Sequence, residues 1–124
     1  MKPETTLQIL IVETLSILAA RHKFVFFSVP NEAYQLGMAA KAATTRDHAR
    51  MMTLKKMGLT PGVSDLIVLH NGRAFCLEVK TGTGRQSAAQ VTFQTAVERI
   101  GVPYQVVRSV DEAIEMLITW EVIA

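Results

Sequence analysis

The sequence predicts an α/β fold: a mixed sheet in which an antiparallel hairpin is extended by a parallel strand, flanked by helices. Three observations predict it. Asn71-Gly72 lies between two apolar runs, residues 63–69 and 73–80. That dipeptide favours a two-residue hairpin turn because both central positions need φ > 0. Ser87-Ala88-Ala89-Gln90 has the capping-box pattern and precedes an apolar stripe at Phe93, Ala96, Val97 and Ile100, so a helix follows the hairpin. Residues 102–107 form another apolar run after that helix, and a strand–helix–strand crossover makes its two strands parallel.

The other elements follow in order. Leu7, Leu10, Ile11, Leu15 and Leu18 recur at helical spacing, predicting an amphipathic helix over 5–20 with Glu13 at the edge of its stripe. Residues 24–29, ending before Pro30, read as a strand. Residues 30–44 show no period and read as a loop. A helix is predicted over 45–57, stopped by Gly58 and followed by a Pro61-Gly62 turn. Both hairpin strands are apolar on both faces, which places them centrally in the sheet. Gly101 ends the crossover helix, and Ser109-Val110-Asp111-Glu112 caps a last helix with Ile114, Leu117 and Ile118 inward.

With 124 residues and no internal repeat, the chain reads as one domain, residues 1–124, large enough for a real core. No apolar run approaches the ~20 residues of a membrane span; residues 7–20 are interrupted by Glu13 and by threonine and serine. A single cysteine, Cys76 in a predicted buried strand, allows no disulfide framework and points to a reducing, cytoplasmic setting. The net charge of +2 decides little. Its distribution says more: Lys41, Arg46, Arg50, Lys55 and Lys56 face Asp47 alone in their stretch. His22, His48 and His70 have no metal-ligand spacing.

Counting back from the turn exposes the chemistry. His70 pairs with Arg73, Leu69 with Ala74 and Ile67 with Cys76, so Asp65 falls opposite Glu78. Paired Cβ atoms sit about 5 Å apart, and like charges there repel. Lys80 stands on the same face two residues beyond Glu78. Two carboxylates and a lysine on one hairpin face suit a hydrolytic magnesium site; the plainer alternative is a structural ion-pair network. Beside such a site, the cations Lys41, Arg46, Arg50, Lys55 and Lys56 become candidate phosphate contacts. Gly82, Gly84 and Arg85 form a second candidate, offering backbone N–H groups and charge. Gly82 and Gly84 also half-match a dinucleotide-binding loop, but the third glycine is missing.

Gly62-Val63-Ser64-Asp65-Leu66, Leu77-Glu78-Val79-Lys80 and Ser87-Ala88-Ala89-Gln90 together resemble the VRR-NUC branch (virus-type replication and repair nucleases) of the PD-(D/E)XK nuclease superfamily. The resemblance covers residues 63–109 well and the first helix loosely. Ser64 stands where the superfamily name has proline, a residue with no catalytic atom. The resemblance implies a restriction-endonuclease-like sheet and a Mg²⁺- or Mn²⁺-dependent DNA endonuclease, acting on branched DNA such as four-way junctions. It implies that Asp65 and Glu78 bind the metal, helped by the Val79 carbonyl. Lys80 would orient the attacking water or neutralise transition-state charge. Glu13 would add an acidic group from the first helix, and Gln90 would steady the lysine or a water. Capping alone also explains Gln90. Stand-alone members of the branch pair into homodimers, for which Met51, Met52 and Leu54, or segment 120–123, offer apolar surface. Two rivals share the fold: a DNA-binding module that does not cut, and a sequence-specific restriction-type enzyme.

Overall fold

The computed structural model describes residues 1–30 and 45–124. The loop expected over 30–44 lies almost wholly outside them, and so does Lys41. The described elements run α1 (Pro3–Ala19), β1 (Val25–Ser28), α2 (Thr45–Lys56), β2 (Leu66–His70), β3 (Arg73–Val79), α3 (Ala88–Arg99), β4 (Tyr104–Val107) and α4 (Val110–Thr119). The four strands form one sheet in the order β1-β2-β3-β4. β1 and β3 run antiparallel to β2, and β4 runs parallel to β3. This is the predicted α/β class, with the hairpin in the middle of the sheet. No described helix is long and apolar enough to cross a membrane.

Asn71 (φ 49°) and Gly72 (φ 76°) both adopt the left-handed conformation that the tight turn demands. The register beyond the turn follows the count: His70 pairs with Arg73, Leu69 with Ala74 and Ile67 with Cys76. One face of the sheet carries Leu66, Val68, Phe75, Leu77, Val79 and Val107, packed against Ile11 and Leu15 of α1 and Ala113 and Leu117 of α4. The other face, at the β3–β4 side, carries Cys76, Glu78, Lys80 and Tyr104. α3 lies over it, with Phe93 tilted against Tyr104 at a ring separation of 6.3 Å.

Several expectations are corrected. α1 starts at Pro3 rather than Thr5, because proline suits the first helical position, where no intrahelical N–H bond is needed. Ile100 lies one residue beyond α3 and is exposed, as is Ile118. Segment 120–123 is not a free apolar surface. Glu121 takes a positive φ of 60°, and the chain folds back so that Val122 N–H donates to the Leu117 carbonyl at 2.8 Å. Val122 and Ile123 thereby close the core, and Trp120 stacks on Phe75 at 5.0 Å. Met51 is buried while Met52 stays exposed.

Candidate metal centre

The site forms where the hairpin ladder ends. Gly62 turns the chain with φ 81°, and Ser64 is buried with its hydroxyl donating to the Leu66 carbonyl at 3.2 Å. Asp65 therefore enters just before β2. Its Oδ2 accepts the Val79 N–H at 2.7 Å, so a side chain closes the last rung that a backbone carbonyl would otherwise make. N–H and C=O of one strand residue leave the same edge, so the Val79 carbonyl lies on the Asp65 side as well.

Glu78 is completely buried. Its Oε2 accepts from Gln90 Nε2 at 2.7 Å and lies 3.5 Å from Lys80 Nζ. Among the described residues its buried Oε1 has no hydrogen-bond partner. Burial first, and then the adjacent Asp65 carboxylate, push the Glu78 carboxyl up to about 8; the Lys80 ammonium pulls it partly back. Tyr104, on the neighbouring strand, is likewise raised by burial and by the charge of Glu78. Cys76 is raised by burial and stays a thiol in the core.

A third carboxylate joins them from an unexpected place. One oxygen each of Glu4, Asp65 and Glu78 lie within 4.8 Å of one another. Around an octahedral Mg²⁺ adjacent ligand oxygens are roughly 2.9 Å apart and opposite ones roughly 4.2 Å, so the three carboxylates would draw in to hold one ion. The donors are all hard oxygens, and the orphaned Glu78 Oε1 has no other partner to lose. The residues present fit a hard divalent cation.

Sequence reasoning named Glu13 for this role. Glu13 is exposed and stands nine positions along the helix from Glu4, about 13.5 Å along the axis. The signal for Glu4 was local: Pro3 at the helix start and an acidic residue in the first turn, where the helix dipole favours negative charge. Glu4→Gln is expected to weaken Mn²⁺ binding at least roughly tenfold, while Glu13→Gln leaves it unchanged. Calorimetric titration of both variants checks this, and equal affinities would remove Glu4 from the centre.

Gln90 sits at the start of α3 and makes the capping bonds expected of it, while its other amide atom reaches a different partner from the one expected. Its Oε1 accepts the Ser87 N–H at 2.8 Å, and Ser87 Oγ accepts the Gln90 N–H at 3.2 Å, completing the capping box. Its Nε2 reaches Glu78 rather than Lys80. Gly62 makes this reach possible, because a Cβ there would overlap the Ala89 carbonyl and lie 2.7 Å from the Gln90 nitrogen.

The connector after β3 lies beside Lys80. Gly84 N–H donates to the Thr81 carbonyl at 2.9 Å, closing a turn, and a Cβ on Gly84 would stand 3.8 Å from the Lys80 chain. Gly82 and Arg85 are exposed there. Arg46, Arg50, Lys55 and Lys56 are exposed on α2, which makes no extensive contact with the other described elements. Among the described contacts, Gly84 is thus the connector residue placed beside Lys80. No protein-family model matches this chain, and neither does any curated protein or solved structure.

Proposed function

We propose that the chain is a Mg²⁺- or Mn²⁺-dependent DNA endonuclease of the VRR-NUC type, selective for branched DNA. One observation carries the reading: a fully buried glutamate with an unpartnered oxygen, set against two further carboxylates and a lysine. A buried anion with unmet bonding capacity is costly unless a cation completes it. A purely structural ion pair gives no reason to leave Oε1 empty or to gather a third carboxylate.

In this reading Glu4, Asp65 and Glu78 hold the ion, with the Val79 carbonyl on the same edge. The ion supplies Lewis acidity and a lowered water pKa for phosphodiester hydrolysis. Lys80, about nine-tenths buried, keeps its ammonium where water screens it little. It offsets negative charge that develops on a phosphate at the cluster. Gln90 fixes the orientation of Glu78, and the exposed Gly82 and Arg85 receive a neighbouring phosphate, the Gly84 N–H being already given to the Thr81 carbonyl. Arg46 and Arg50, four apart on α2, add sequence-independent affinity. A two-fold homodimer in the cytoplasm would present two such sites to paired strands at a junction.

The test compares wild type and Asp65→Ala on labelled four-way junction, flap and linear duplex DNA, with Mg²⁺, Mn²⁺ or chelator. Metal-dependent cutting, strongest on the junction and lost in the variant, is the expected result. Cutting at one recurring sequence in linear duplex would make it a restriction-type enzyme. Binding without cutting on every substrate would leave a DNA-binding module. Lys80→Ala is expected to lower turnover roughly a hundredfold while metal affinity changes little; unimpaired turnover would remove Lys80 from the chemistry.

A further inference from the structure

Arg108 follows the last residue of β4, and nothing above uses it. In the parallel register Glu78 pairs with Val106 and Val79 with Val107, and Lys80 N–H donates to the Val107 carbonyl at 3.1 Å. Arg108 is therefore the counterpart of Lys80, on the same face and one strand over. Adjacent strands are about 4.8 Å apart and two residues span about 6.6 Å, so its backbone is roughly 8 Å from that of Glu78.

Its side chain is held in place. Arg108 Nη1 donates to the Gly82 carbonyl at 3.0 Å, tying the end of β4 to the connector that carries Arg85. The residue's own backbone is anchored separately: Arg108 N–H donates to Glu112 Oε2 at 2.7 Å, while Glu112 N–H donates to Ser109 Oγ at 3.0 Å. The nearby Glu112 carboxylate is thereby engaged by backbone at the start of α4. Among the described residues no carboxylate forms an ion pair with the Arg108 guanidinium, and the residue is exposed. A guanidinium has five N–H donors in a planar fork, and among the described residues one of them is bonded. A planar cation, oriented in advance and with no counter-ion among the described residues, suits bidentate recognition of phosphate.

We propose that Arg108 grips a backbone phosphate of the DNA next to the one at the carboxylate cluster, using the fork edge that Gly82 leaves open. The inference rests on the nuclease reading and adds to it a contact that fixes where the strand lies. Arg108 touches substrate away from the reacting phosphate, so its contribution is uniform binding: it lowers KM and leaves kcat nearly unchanged.

The experiment measures affinity for junction DNA against salt with the full chain in Ca²⁺, and steady-state cleavage in Mg²⁺, for wild type, Arg108→Ala and Arg108→Lys. Arg108→Ala is expected to bind roughly tenfold more weakly, with the slope of log K against log salt shallower by about 0.9. KM should rise while kcat stays within about twofold, and Arg108→Lys should keep the slope. A residue that only staples the connector would change kcat or Tm and leave the slope untouched; that result in Arg108→Ala overturns the proposal. Failure of the wild type itself to bind any DNA would instead overturn the nuclease reading and this contact with it.

Discussion

Glu78→Gln is expected to abolish metal-dependent cleavage and, in chelator at pH 8, to make the protein more stable than the wild type. The two effects share one cause. A glutamine keeps the shape and still accepts from Gln90 through its carbonyl, but it brings no charge into a fully buried position. In the wild type the fold raises the Glu78 carboxyl from its ordinary value of 4.5 to about 8, so the neutral form is the one the metal-free fold favours. That contribution to stability is fully present below about pH 4.5 and is lost as pH rises through about 8. The loss amounts to a few kcal/mol at most. Thermal melts in chelator from pH 5 to 9 should therefore show the Tm advantage of Glu78→Gln growing with pH; parallel curves would mean that Glu78 carries no buried charge. A cation needs the ionised carboxylate, so wild-type Mn²⁺ affinity should climb roughly tenfold per pH unit until about pH 8.

Gly62→Ala is expected to destabilise the fold strongly, and to disturb the carboxylate cluster from a distance. Two costs combine. A positive φ disfavours any residue with a Cβ by about 1–2 kcal/mol. The added methyl would also meet the backbone of Ala89 and Gln90, which cannot swing aside like a side chain, adding about 1–3 kcal/mol. Together these lower Tm by on the order of 10 °C or more. Gly101→Ala is the control, because Gly101 has a similar φ of 87° but open space around its Cβ position, so only the backbone cost applies. Equal Tm losses in the two variants would show that the close approach is not there. Gly62→Ala should further weaken Mn²⁺ binding, since relief of the overlap pushes the start of α3, and Gln90 with it, away from Glu78; Gly101→Ala should not.

The legible parts of the molecule are those governed by a short-range rule. Asn71-Gly72 sets a turn, the turn sets a register that runs to Leu66 opposite Leu77, and just beyond that ladder the carboxylates of Asp65 and Glu78 come together. The Ser87–Gln90 box was readable for the same reason, since its bonds span three residues. What escaped depends on distances between elements. Glu4 joins the cluster only because α1 begins two residues earlier than its apolar stripe suggests and because packing of Ile11 and Leu15 on the sheet aims the helix start at Asp65. The bond from Gln90 to Glu78 depends on how closely α3 approaches the sheet, a spacing set by the missing Cβ of Gly62. Segment 120–123 reads as an apolar tail; its return to the core rests on a left-handed glutamate, a conformation that no residue preference announces. Arg108 escaped because an arginine after a strand looks like any solvated cation until its bond to Gly82 is seen.

The Gln90 side chain is anchored at both ends, one to the first turn of its own helix and one to a buried carboxylate on another element. Opening the first turn of α3 must therefore release Glu78, and any change in what Glu78 accepts must alter how readily that turn opens. Reciprocity of coupled equilibria makes the two free-energy changes equal. Amide hydrogen exchange at Gln90 and Val91 thus becomes a remote gauge of the carboxylate cluster. A cap that would ordinarily do no more than finish a helix here reports the charge state of a residue twelve positions away in sequence.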